Sequence, residues 1–192
     1  MSFTLFGVKF EISYIFACAV TLFIASDRSG IVIPTLISVI LHEIGHTFCL
    51  YLFKCKIKSV KLLVGTVRIE YEENLKDFEK IISLFFGPFV NAIVAVVGLL
   101  LNNEILCAIN LVLSLYNLLP IKGLDGGSIF EIIILKFLPH KLVKIVILAT
   151  SFSICFLLIY FFLLNLKNLT FNYSAILFVI YLFLPLILKK LG

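Results

Sequence analysis

Two imidazoles and a carboxylate interrupt the apolar run from Ile31 to Phe53, in the order His42-Glu43-Ile44-Gly45-His46. A run of that length and composition predicts a helix crossing a bilayer, and ionisable groups within a hydrocarbon core cost several kcal/mol and usually mark function. On an α-helix, positions i and i+4 share a face, so His42 and His46 can offer two ring nitrogens to one tetrahedral metal ion. Glu43, beside that face, can take a proton from a water that the metal has acidified. The chain has three histidines, and two of them fall in this pentapeptide. The competing reading is three polar side chains hydrogen-bonded inside a helical bundle, which the cost of burying them in lipid disfavours. The motif therefore points to a zinc hydrolase centre placed within a membrane.

The rest of the chain provides that membrane setting. Of 192 residues, 62% are hydrophobic and 14% charged, and the mean hydropathy is +1.18. These values lie outside the soluble globular range. Since a crossing takes about 20 apolar residues, the length accommodates about six helices with short connections. The first apolar run carries no small-residue cleavage site and is expected to be a retained helix. Five cysteines, Cys18, Cys49, Cys55, Cys107 and Cys155, show no paired spacing, so neither disulfides nor a cysteine metal site are expected.

Taken in order, the crossings are predicted at about 10–25, 31–53, 81–101, 105–119, 142–164 and 171–188. Asp27-Arg28-Ser29-Gly30 is a polar turn. Lys54, Lys56, Lys58 and Lys61 end the second crossing, which puts His46 about 10 Å and His42 about 17 Å inside that basic boundary. From Ser59 to Tyr71 the pattern alternates, with Val67, Ile69 and Tyr71 set between Arg68, Glu70 and Glu72, and predicts a short membrane-associated β-hairpin. It can cap the bundle, or its edge can pair with an extended substrate segment. Gly87-Pro88-Phe89-Val90-Asn91 reads as a packed kink, or as a device that aims the Asn91 amide at the catalytic cavity. Pro120 ends the fourth crossing. The following Ile121-Lys122-Gly123-Leu124-Asp125-Gly126-Gly127 is expected to be irregular. Locally Asp125 sits in an ordinary turn; beside the histidines it is the best available third ligand. Residues 128–137 read as an interfacial helix, and His140 as a surface residue.

Charge sets the orientation. With six crossings, every Lys and Arg except Arg28 and Lys167 falls on one side, which the positive-inside rule makes cytoplasmic for both termini. The formal charge of +5 thus follows topology and calls for no nucleic-acid partner. The second and fourth crossings then both run inward, bringing the histidine motif and Asp125 to the cytosolic half. The fold class expected is an all-α polytopic membrane protein of six transmembrane helices with one short hairpin after the second.

The sequence resembles the site-2 protease family of intramembrane zinc metalloproteases. The resemblance rests on His42-Glu43-Ile44-Gly45-His46, then Gly87-Pro88-Phe89-Val90-Asn91, then Asn117-Leu118-Leu119-Pro120 followed by Leu124-Asp125-Gly126-Gly127, and its core covers about 31–135. It implies Zn2+ held by His42, His46 and Asp125, Glu43 as general base, and Asn91 and Asn117 in substrate positioning or oxyanion support. Some members of that family carry a PDZ domain and others a C-terminal nucleotide-binding regulatory domain; 192 residues leave room for neither, and a single 1–192 protease domain is expected. The compact plan is similar to bacterial sporulation proteases that process a pro-sigma factor. That implies a bacterial inner-membrane protein whose partners are the lipid bilayer, a membrane-associated or single-pass substrate such as a pro-sigma or anti-sigma factor, and a possible regulatory membrane protein. Readings from other classes are a metal-ion permease or sensor, which would need polar groups in both membrane halves, and a catalytically idle membrane scaffold.

Overall fold

The computed structural model describes residues 1–5, 8–63, 66–72 and 74–165. The expected sixth crossing at 171–188 and the connection before it lie outside the described residues. The chain divides into two units, Met1–Leu118 and Leu119–Gly192.

The first unit combines a sheet with four helices. Strands β1 (Ser2–Leu5) and β2 (Val8–Ile12) are followed by helices α1 (Tyr14–Ser26) and α2 (Val32–Leu52), then strands β3 (Ile57–Leu63) and β4 (Thr66–Tyr71), and finally helices α3 (Asp77–Leu100) and α4 (Glu104–Asn117). The strands form one sheet in the order β1-β2-β3-β4. β1–β2 and β3–β4 are antiparallel, while β2–β3 is parallel, with Lys9 opposite Ser59 and Glu11 opposite Lys61.

The expected hairpin is therefore one half of a larger sheet, and the expected first crossing at about 10–25 loses its start to a strand. Lys9 and Glu11 alternate with Val8, Phe10 and Ile12, a period-two pattern that suits a pleated surface, and the backbone of 8–12 finds its hydrogen bonds on β3. By register, Lys9, Glu11, Ser59, Lys61, Arg68 and Glu70 share one face. On it Lys61 pairs with Glu70 at 2.6 Å, and the Ser59 hydroxyl donates to Glu70 at 2.6 Å. The Lys61 ammonium, then the Ser59 hydroxyl, hold the Glu70 carboxyl below its usual range.

In α2 and α3 the helical surface pattern is the reverse of a soluble protein's. α2 buries Ser38, His42, Gly45, His46, Cys49 and Leu50 and exposes Ile33, Ile37, Ile40, Ile44, Phe48 and Tyr51. α3 buries Ser83, Gly87, Pro88, Asn91, Ala95 and Gly98 and exposes Phe85, Phe89, Ile93, Val96 and Leu100. Small and polar side chains face protein and large apolar ones face outward, which is the arrangement that lipid, being as apolar as leucine, favours. Val32–Leu52, Asp77–Leu100 and His140–Tyr160 are long and apolar enough to cross a bilayer. α1 has 13 residues and α4 has 14, which makes each about 20 Å long, less than a hydrocarbon core of about 30 Å. The chain is an integral membrane protein with at least three candidate spans among its described residues.

Close helix approach replaces hydrophobic burial as the source of packing. A Cβ added at Gly45 would lie 2.9 Å from the Phe86 carbonyl oxygen, and one at Gly98 would lie 2.7 Å from the Cys107 nitrogen. α3 remains helical through Pro88. Its start is fixed by Glu79, whose carboxylate accepts the Lys76 N–H at 2.8 Å, an N-terminal acid that also suits the helix dipole. α4 starts where the Asn103 side chain accepts the Leu106 N–H at 3.0 Å.

In the second unit, α5 (Asp125–Ile134) is followed by α6 (His140–Asn165). The expected irregular stretch therefore ends sooner than the glycines suggest, because Asp125 already begins a helix. The two glycines after it occupy the first turn, where Gly127 lies so close to the Ile121 carbonyl that a Cβ would overlap it.

The polar turn between α1 and α2 is built on Asp27. Its Oδ1 accepts from the Ser29 hydroxyl at 2.7 Å, the Ser29 N–H at 2.9 Å and the Gly30 N–H at 3.1 Å, and its Oδ2 accepts from the Val32 N–H at 2.9 Å. These bonds, the Ser29 hydroxyl first, hold its carboxyl below the usual 3.8. A depressed folded value means stability present above the unfolded value and lost as pH falls through the folded one. The thermal-stability difference between wild type and Asp27→Ala in detergent is therefore expected to stay constant above about pH 4 and to shrink as acid titrates the folded carboxyl below it.

Candidate metal centre

α2 carries the motif on one turn. His42 and His46 are 6% and 8% exposed, and Glu43 is half-buried. The two Nε2 atoms lie 3.0 Å apart with the rings edge-to-face at 85°. Tetrahedral zinc with nitrogens at about 2.05 Å would set them about 3.3 Å apart, so the pair is spaced to share one cation.

The tautomer of His46 follows from its other nitrogen. Nδ1 lies 2.7 Å from the Ser83 carbonyl oxygen, which can only accept, so Nδ1 carries the hydrogen and Nε2 presents a lone pair. That outward bond is the kind that orients metal-binding imidazoles. Ser83 is itself held, its hydroxyl donating to the Glu79 carbonyl at 2.9 Å and lying 3.7 Å from Cys49 Sγ. Cys49 is thus buried against α3.

Opposite the rings stands Gly87. A Cβ there would overlap Nε2 and Cε1 of His46 and lie 2.8 Å from His42 Nε2. The backbone of α3 therefore forms one wall of the histidine site, and glycine is needed there for space. One turn further along α3, Asn91 is 0% exposed, and neither its amide nitrogen nor its amide oxygen has a protein partner among the described residues. An amide buried so completely within an apolar bundle calls for something to bind. Asn117 ends α4, where its amide donates to the Leu113 carbonyl at 3.0 Å. Asp125 is the first residue of α5 in the second unit and is half-buried. His140 is exposed at the start of α6.

The parts played by three neighbours of the site were not legible in the sequence. Ser83 acts through its carbonyl, which every residue has, so its type gave no signal. Gly87 stood in a quoted motif, but its contact with the imidazoles needed the α2–α3 approach. The third is Asn110, fully buried on α4, whose amide donates to the Ser38 hydroxyl at 3.0 Å, one turn before His42. Its signal was an asparagine in an apolar helix, a type of residue that fastens membrane helices together.

The fold and site define a class: an integral membrane protein that buries a histidine pair between two lipid-facing helices. No protein-family model matches the chain. It is 33% identical over 134 residues to Stage IV sporulation protein FB of Bacillus subtilis, covering 64% of this chain and 46% of that protein. It is 31% identical over 113 residues to a zinc metalloprotease of Methanocaldococcus jannaschii, covering 52% of this chain and 33% of that one. The chain thus spans less than half the length of these curated relatives. Among solved structures it matches the site-2 protease from Methanocaldococcus jannaschii with a TM-score of 0.68 at 22% identity, over 95% of this chain and 92% of the other. The match to that solved structure shows a shared fold.

The close wall at Gly87 yields a direct test. Gly87→Ala is expected to displace the His46 ring and weaken zinc binding at least about tenfold. Competition against a chromophoric chelator in detergent measures this; unchanged affinity would mean that α3 does not confine the pair.

Proposed function

We propose that this chain is a zinc-dependent intramembrane endopeptidase that hydrolyses a peptide bond in or near a membrane segment of a substrate protein from the cytosolic side. The observation that carries the reading is the buried His42–His46 pair, 3.0 Å between Nε2 atoms, with Glu43 on the same turn. The named relatives, one of them a zinc metalloprotease, support it.

In this reading His42, His46 and Asp125 would hold zinc, which when bound would supply the Lewis acidity that lowers the pKa of a water and polarises the scissile carbonyl. Glu43 takes the proton of the attacking water and delivers it to the leaving amine. Asn91 and Asn117 offer amide donors for the substrate backbone or for negative charge developing on the carbonyl oxygen. A helical substrate shields its peptide bonds within its own hydrogen bonds, so the scissile segment must unwind first. β4, at the edge of the sheet, offers a template for such an extended segment.

Six crossings with both termini in the cytoplasm, in a bacterial inner membrane, is the topology that suits this chemistry. The parallel pairing of β2 with β3 supports it in part, because it joins the N-terminal strands to the segment that follows α2. A membrane-associated protein such as a pro-sigma or anti-sigma factor is the substrate class that suits a cytosolic-side site, with a second membrane protein as regulator.

Glu43→Gln is expected to lower cleavage at least a hundredfold, the lower end of what a general base contributes, and to retain zinc. The assay is co-expression of wild type and variant with candidate single-pass proteins, followed by comparison of membrane proteomes for a fragment that depends on Glu43. Full cleavage by the purified variant would overturn the assignment of the base. Asp125→Asn should weaken zinc by more than about tenfold, since an amide oxygen is a poorer ligand than a carboxylate. Unchanged affinity would remove Asp125 from the ligand set.

A further inference from the structure

The segment that leads into Asp125 is fixed at three places, all within the second unit. Gly123 has φ +103°, a left-handed backbone that glycine adopts without strain. The first turn of α5 touches the backbone of Ile121 through Gly127, where a side chain would overlap the Ile121 carbonyl. The third point is remote in sequence. The Lys122 N–H donates to Ser151 Oγ at 2.8 Å, and that hydroxyl donates in turn to the Ile147 carbonyl at 2.6 Å.

Ser151 is 0% exposed and lies on the buried stripe of α6, spaced four residues apart as Val143, Ile147, Ser151 and Cys155. A serine that only satisfied its own hydroxyl would stop at the i−4 carbonyl, as serines in apolar helices commonly do. Here the same oxygen also accepts the N–H of an irregular segment, where no helix or sheet supplies a backbone acceptor. Without it that donor has no partner in apolar surroundings.

We propose that Ser151 is a positioning residue for Asp125: by accepting the Lys122 N–H it locks the 121–125 backbone and so sets where the Asp125 carboxylate is presented. The proposal rests on the reading of Asp125 as a zinc ligand. Metal–ligand distances tolerate only about 0.2 Å of displacement, so a loop that shifts three residues upstream is felt at the carboxylate. Ser151 touches no reacting atom; it acts through the backbone.

The test uses the full chain purified in detergent, as wild type, Ser151→Ala, Ser151→Thr and Asp125→Asn, with two readouts. Zinc affinity is measured by chelator competition per folded molecule, and exchange of the Lys122 amide by hydrogen–deuterium exchange without metal. Ser151→Ala is expected to speed exchange at Lys122 and to weaken zinc about tenfold, the scale of losing an outer partner of a ligand. Ser151→Thr, which keeps the hydroxyl, should restore both to near wild type. A residue that served packing alone would lower the melting temperature while leaving affinity per folded molecule unchanged, and that result overturns the proposal. If Asp125→Asn weakens zinc but Ser151→Ala does not, the positioning role fails and the ligand reading stands. If neither changes zinc affinity, the ligand reading fails and this proposal with it. Should Ser151→Ala not be recovered from membranes, Ser151→Cys, with a similar volume and a poorer acceptor, is judged by the same two readouts.

Discussion

The approach of α3 to α2 at Gly87 is the contact on which the first unit depends. Imidazoles are costly in a hydrocarbon core, and the bundle satisfies His46 by bringing a helix backbone against it. The absence of a side chain at Gly87 lets that backbone come near, and the Ser83 carbonyl then meets His46 Nδ1 at 2.7 Å. One glycine and one carbonyl thus settle both the enclosure of the site and the nitrogen that it presents.

The same economy runs through the rest of the bundle. With the apolar surface turned outward, helix contacts are made from small residues and a few hydrogen bonds: Gly45 against Phe86, Gly98 against Cys107, Asn110 to Ser38. Each such bond does two things, joining helices and fixing where a polar group faces. The pair Ser38–Asn110 lies one turn from His42, so the fastening of α4 to α2 and the placement of the histidine turn are parts of one contact. In the second unit Ser151 does for the segment before Asp125 what Ser83 does for His46, supplying from a neighbouring helix the partner that local backbone lacks.

Much of this was legible in the residues. Three helices long and apolar enough to cross a bilayer followed from apolar runs, the polar turn from Asp27 to Gly30, and the histidine pair from a spacing of four. The parts that were missed share a cause. Lys9 and Glu11 alternate with Val8, Phe10 and Ile12, which is a strand pattern, but five residues are too few to outweigh the adjoining apolar stretch; the deciding factor was β3, about 50 residues later, which offered a parallel edge. Asp125-Gly126-Gly127 looked like a turn because glycine lowers helix propensity, yet α5 begins there because a helix turn without Cβ atoms is what can lie against the Ile121 carbonyl. In both cases a tertiary neighbour overrode a weak local preference.

What the sequence determined by itself is whatever depends on near neighbours along the chain: that helices cross a bilayer, and that His42, Glu43 and His46 share a turn, since helical geometry alone puts residues four apart on one face. The tertiary structure decided which nitrogen of His46 is presented, how completely Asn91 is buried, and that the N-terminus enters a sheet with β3. Those outcomes depend on backbone groups and distances between segments far apart in the chain, and backbone groups are the same at nearly every residue, so no pattern of side chains could announce them.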